Sequence, residues 1–248
     1  MNRTLVAALL MVTPILLAGK QGADWLTIAG RAEADIKQDA GRKPVEMLRF
    51  LGIRKGDVAL DYMAGGGYYS EIMTRAVGRK GHVTAWNPEN FVSTEAAKTK
   101  WVGILARTPN LTHVTAAFDK FDAPTNSISF ALFHLAYHDL YWQSEQFKVP
   151  RTDPDVVLSR LYLAMRPGGI VGVVDHVGTA GDTRAIVDKT HRIDPAVIKV
   201  DFARAGFKLV GESRLLRMSG DDYSKSVFDP SLRGKTDRFV FKFKKPPT

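Results

Sequence analysis

Residues 58–67 read VALDYMAGGG and residues 68–77 read YYSEIMTRAV. The first half is a short apolar run of Val, Ala and Leu, the pattern of a buried strand. The second has helical spacing and stops at Gly78. Between them three glycines allow a tight turn and a close backbone approach to a ligand. A helix starting there offers free N–H groups and the positive end of its dipole. In an open parallel sheet, ligands sit beyond the carboxyl ends of the strands, which is where such a loop lies.

The pattern continues on both sides. Strands are expected over 57–61, 81–86, 111–117, 127–135, 170–175, 207–212 and 239–243. Helices are expected over 25–39, 42–51, 68–77, 93–106, 154–165 and 195–205, with a turn at 166–169. Near-continuous apolar strands separated by helices imply a mostly parallel sheet covered on both faces. The last two strands lack a full helix between them and are expected to pair antiparallel at the sheet edge. Residues 177–193 and 219–237 read as long polar loops, a length that often carries function. No repeat or linker marks a second folded domain.

The chain has 248 residues, a net charge of 35 − 26 = +9 and no cysteine. That excludes Cys-ligated zinc, CxxC redox sites, Cys-bound Fe–S clusters, thiol nucleophiles and lipoprotein attachment. The basic residues are dispersed and no nucleic-acid motif is present, so no nucleic-acid partner is expected. The start of the chain has a positive tip (Arg3), an apolar run over 4–18 broken by Pro14, and small residues Ala18 and Gly19. This is the plan of a secretory signal, shorter than the roughly 20 apolar residues of a membrane span. The expected organisation is a signal peptide over 1–19, a helical extension over 20–50 and one domain over 51–248. The protein is expected to be exported, in the periplasm, with the signal either cleaved or kept as an anchor. There its positive charge favours contact with anionic envelope surfaces.

The pattern Asp61-x-x-x-Gly65-x-Gly67 after an apolar strand resembles motif I of the class I S-adenosylmethionine-dependent methyltransferases. LGIRKGDVALD (51–61) resembles that family's entry into its first strand. LYLAMRPGGIVGVVDH (161–176) resembles its fourth helix, Pro-Gly-Gly turn and fifth strand, and ARAGFKLVGES (203–213) its late helix-to-strand entry. The matches fall in the family's order and cover most of the chain after residue 40. The likeness is greatest to exported bacterial methyltransferase-like proteins sharing GGGYY (65–69), YHD (137–139), VDH (174–176), HRID (191–194) and GKTD (234–237).

The resemblance implies an α/β, Rossmann-like, seven-stranded and mostly parallel sheet with helices on both faces and the last strand antiparallel. It implies S-adenosyl-L-methionine as cofactor and methyl transfer to a small or medium-sized acceptor. Asp61, Ala64, Gly65, Gly66, Gly67 and Tyr68 would form the cofactor pocket. Asn87 or, displaced, Glu89 would meet the ribose, and Asp119 the adenine. His138 and His176 would face the substrate, oriented by Asp139 and Asp175. Two places depart from the family pattern: Met63 replaces a usual glycine, and Trp86–Asn87–Pro88–Glu89 stands where the second strand usually ends in an acid.

Other readings accompany these. A histidine near its unperturbed pKa of about 6.5 could act as a general base, the expectation for His138, while Asp139 is also read as a loop cap and Asp194 as an N-cap before Pro195. His138, His176 and His191 are candidates to converge on one rim. No HxH or HExxH spacing is present, so no metal site is expected. A non-catalytic binding protein on the same fold, or another enzyme using the His/Asp rim, are the rival functions.

Overall fold

The computed structural model describes residues 23–118 and 120–247; the expected signal over 1–19 and Asp119 lie outside them. Strands β1 (Val58–Tyr62), β2 (His82–Pro88), β3 (Leu111–Ala116), β4 (Ile128–His134), β5 (Met165–His176), β6 (Lys208–Ser213) and β7 (Arg238–Lys244) form one sheet. Their order is β3-β2-β1-β4-β5-β7-β6. The pairs among β1 to β5 are parallel, and β7 runs antiparallel to both β5 and β6. From β1 the chain builds outward to β3, then crosses back to β4, so the direction of winding reverses between β1 and β4. A ligand site is expected at that reversal.

Alternation along each strand divides the core. Ala59, Phe130, Leu132 and Val174 face one side, against α3 (Pro44–Leu51), α4 (Tyr68–Val77) and α5 (Glu95–Arg107). Leu60, Tyr62, Phe133 and Val173 face the other, against α6 (Pro154–Ala164), α7 (Thr183–Thr190) and α8 (Pro195–Arg204). Gly172 leaves room for α3: a Cβ there would lie 2.4 Å from Leu51 Cδ1. Met47, Leu48 and Leu51 are completely buried, so the segment expected as an extension packs into the domain's own core.

Three stretches differ from expectation, the first being the turn expected at 166–169, which is part of β5 (Met165–His176). Residues 25–39 are not one helix. A single 3-10 turn (Ala23–Leu26) is followed by short helices α1 (Glu33–Ile36) and α2 (Asp39–Arg42). Gly30, at φ +79°, turns the chain in the left-handed region, and Arg31 clasps Asp39 through two bonds of 2.8 and 2.6 Å. That local closure overrides helical periodicity. Residues 177–193 contain α7, because Asp182 accepts from the amides of Arg184 and Ala185 and supplies an N-cap. Asp194 caps α8 in the same way, accepting from Ala196 N–H at 2.8 Å ahead of Pro195. Among the described residues no helix is long and apolar enough to cross a membrane.

Candidate functional site

Asp61 and Tyr62 end β1 on opposite faces. Tyr62 packs between Trp86 and Phe133 at 4.7 and 4.5 Å, in the core. Asp61 forms the floor of a cleft and accepts a hydrogen bond from Ser70 Oγ at 2.6 Å. Ser70 belongs to the first turn of α4, whose N-cap is Gly67 and has no side chain to offer. The strand carboxylate therefore serves the helix start that a capping side chain would otherwise serve. Burial pushes the Asp61 carboxyl up to about 7, against the opposing pull of Ser70 and of the Arg42 charge.

The loop above Asp61 is fixed from behind. Met63, Gly65 and Gly67 have φ of +53°, +55° and +79°, so Met63 takes the left-handed geometry that glycine adopts most easily. Asn87, fully buried at the end of β2, accepts from Gly65 N–H at 2.7 Å and donates to Gly65 O at 3.2 Å. Trp101 Nε1 also donates to Gly65 O, at 3.1 Å, and its ring stacks on His113 at 3.7 Å. A Cβ on Gly67 would lie 2.8 Å from Ile104 Cδ1 and 3.0 Å from Trp101 Cη2. Gly67 thus answers packing, whereas Gly65 and Gly66 line the cleft.

The cleft encloses about 320 Å³, within the usual ~300–1,000 Å³ of small-ligand sites. The glycine loop, Tyr68 and Tyr69 form one wall, and Phe91, His134, Leu135 and Asp139 another. Asp35, Gln38 and Arg42 close it from the N-terminal segment. That segment is tied down by charge. Tyr68 Oη donates to Asp39 at 2.6 Å, Arg42 lies 4.3 Å over the Tyr68 ring, and Lys100 pairs with Asp35 at 2.8 Å. His134 ends β4 with its Nε2 buried and unpartnered. Burial, then the charges of Arg42 and Arg238, hold it well below the usual histidine range, so it is neutral.

A second constellation borders the cleft. Asp175, fully buried, accepts from the His138 backbone N–H at 3.0 Å and pairs with His138 Nδ1 at 2.8 Å. Burial opposes charge on His138, but the carboxylates of Asp175 and Asp139 outweigh it and raise the imidazole to about 9. Asp139 Oδ1 stands 3.4 Å from His138 Nε2 and 3.8 Å from His191 Nδ1. Ligand atoms of these three residues lie within 4.8 Å of one another, a spacing able to surround a divalent cation. The sequence intervals of the three residues contain no sign of it.

Asp175 and His176 alternate to opposite faces of β5. His138 follows Asp175, while His176 pairs with Thr236 at 2.7 Å. The two histidines expected to act together are 6.0 Å apart by ring centres. Burial drives His176 down to about 3. Of the four expected substrate-side residues, Asp139 alone lines the cleft. Of the two expected ribose partners, Asn87 spends its amide on the loop and on His113, 3.0 Å away. Glu89 is exposed, in the 3-10 turn Glu89–Val92 that follows β2. Asp119 lies outside the described residues. Asp35, Gln38, Arg42 and His134 were not anticipated. His134 was findable as the last residue of an apolar strand, but the other three have no signal in a polar N-terminal stretch.

No protein-family model matches the chain, and no curated protein matches its sequence. Solved structures do match. A SAM-dependent methyltransferase from Aquifex aeolicus superimposes with a TM-score of 0.60 at 18% identity, over 86% of this chain and 95% of that one. The 1,6-didemethyltoxoflavin-N1-methyltransferase of Burkholderia thailandensis, solved with 1,6-didemethyltoxoflavin and S-adenosylhomocysteine, gives 0.55 at 16% over 86% and 81%. The [4+2]-cyclase SpnF gives 0.54 at 16% over 85% and 83%. These likenesses establish the class I methyltransferase fold.

Proposed function

We propose that the protein transfers a methyl group from S-adenosyl-L-methionine to a small or medium-sized acceptor. The observation that carries this reading is the charge of the cleft at the β1/β4 reversal. Asp35, Asp61 and Asp139 line it with Arg42, and Lys100 at its edge pairs with Asp35; a cationic ligand would be favoured by Asp139 and by Asp61 in its ionised form, which burial holds to a pKa of about 7. Gly65 and Gly66 admit close backbone approach, and the unpartnered His134 Nε2 offers a further polar contact. The cofactor would supply an activated methyl group carried on a sulfonium. Asp61 and the glycine loop would hold its amino-acid end, while the N-terminal segment closes the cleft against water. Neutral His134 is a weak base, so its role is to hydrogen-bond and orient. Rate enhancement would come chiefly from positioning.

Calorimetric titration of the protein with S-adenosylmethionine and S-adenosylhomocysteine tests the reading, with Asp61→Ala as control. Binding weakened by that substitution is expected; absence of binding at millimolar ligand overturns it. Glu89 leaves the cleft without a carboxylate at the end of β2, and this favours a second reading, a ligand-binding protein on the same fold. Tight cofactor binding without turnover across a broad acceptor panel would select that reading. Export to the periplasm is proposed with the function, and the intact mass of protein from a periplasmic fraction checks it.

A further inference from the structure

A second cavity, of about 590 Å³, adjoins the cleft on the same face of the sheet. The two share Gln38, Arg42 and Leu135 as walls. Their charges are opposite. The cleft is lined by carboxylates, whereas among the described residues the second cavity has none and is lined by Lys37, Arg42, Arg233 and Arg238 beside the neutral His176. Lys37 is paired with Glu33 at 2.8 Å. Arg42 and Arg238 have no carboxylate in ion-pair contact among the described residues.

Arg238 is the decisive group. It begins β7 and is only 5% exposed. Its Nη2 donates to the carbonyl of Gly41 at 2.9 Å, and its Nε has no partner. Burying a guanidinium beside a second arginine, without a carboxylate, is costly unless an anion completes the site. Next to it the wall turns apolar: Leu135, Val227 and Phe228, the last 58% exposed. We propose that this cavity binds an organic anion, a carboxylate or phosphate carried on an apolar body, and that this anion is the methyl acceptor. The anion would lie against Arg238 and Arg42, and its apolar body against Phe228. Arg42, with Gln38 and Leu135, lines both cavities and would border donor and acceptor alike, leaving the methyl group open to direct attack by the acceptor. Calling the ligand the acceptor rests on the methyl-transfer reading; the anion site itself does not.

Calorimetry of the full chain with benzoate, phenyl phosphate and neutral benzamide, each with and without S-adenosylhomocysteine, tests this. One or both anions are expected to bind at least about tenfold more tightly than benzamide. Which anion binds identifies the headgroup. Arg238→Met and, separately, Arg42→Met should each weaken anion binding by about tenfold or more. Arg42→Met keeps the test decisive if the buried Arg238 variant fails to fold. Equal binding of benzamide, no anion binding at millimolar concentration, or anion binding that survives in a folded Arg42→Met protein overturns the proposal. Anion binding without any binding of S-adenosylhomocysteine would sustain the site and remove the methyl-transfer reading. The reverse pattern would remove the site and leave that reading standing.

Discussion

Asn87 and Gly65 hold each other through both amide groups: Asn87 Oδ1 accepts from Gly65 N–H at 2.7 Å, and Asn87 Nδ2 donates to Gly65 O at 3.2 Å. The end of β2 thereby fixes the loop that follows β1. Asn87→Ala leaves the part-buried Gly65 amide without its side-chain partner and should cost about 1 kcal/mol. Chemical denaturation reads the loss. A variant as stable as the parent would show that the lock contributes nothing.

Gly67 is expected to reject a side chain on two grounds, and Gly78 on one. Both have positive φ, +79° and +66°, but a Cβ at Gly67 meets Ile104 and Trp101 while one at Gly78 meets nothing within 4 Å. Gly78, at ψ −176°, lies in a region essentially reserved for glycine, so Gly78→Ala should cost about 1–3 kcal/mol of backbone strain. Gly67→Ala should add overpacking of about 1–3 kcal/mol. A loss for Gly67→Ala of no more than about 1 kcal/mol, the cost of left-handed strain alone, would refute the packing argument.

Met63 sits at φ +53° yet is only 6% exposed. Met63→Gly relieves about 1–2 kcal/mol of left-handed strain but forfeits a buried side chain worth about 2–5 kcal/mol. Burial wins, and the variant should melt at a lower temperature. A higher melting temperature would mean that strain dominates at this turn.

Stability should fall as pH rises through the range between the two titrations of Asp61. The carboxyl titrates near 3.8 in an unfolded chain and near 7 in the fold. In that window the folded state keeps a proton that the unfolded chain has released, so raising the pH favours unfolding until both are ionised. Asp61→Asn removes this slope. Denaturation of parent and variant at about pH 5 and about pH 8 compares them, and parallel profiles would contradict it.

His138 should carry a separate, higher window. Its imidazole is raised from 6.5 to about 9, against its burial, by Asp175 and Asp139. The stabilisation is complete below the unfolded value and is lost as pH rises through the folded one. An NMR titration should find the ring still protonated at about pH 8 in the parent and neutral in Asp175→Asn. A ring already neutral in the parent would rule out the pairing as drawn.

Much of the architecture was legible because it is local. The helix over Tyr68–Val77 and the strand before it follow from apolar spacing and from Gly78. The helix over Thr183–Thr190 was missed because its residues are largely polar, and a single capping Asp182 starts it. The segment over residues 25–39 failed as one helix because an ion pair across eight positions, Arg31 to Asp39, closes it on itself. Asp61, Ala64, Gly65, Gly66 and Tyr68 were named from the loop and do line the cleft.

By itself the sequence determined the strand–glycine loop–helix unit, the alternation of strands and helices, and the absence of thiol chemistry. The tertiary structure decided which side chains meet. Asp175 and His176 are neighbours in the chain, yet strand alternation sends one to His138 and the other to Thr236. Asp35, Gln38 and Arg42 reach the cleft because α3 is buried against β5 and β7 and carries the preceding segment over the rim. Periodicity is a property of a few consecutive residues and survives in the sequence. The meeting of residues dozens of positions apart depends on strand order, register and face, which exist only once the sheet has formed.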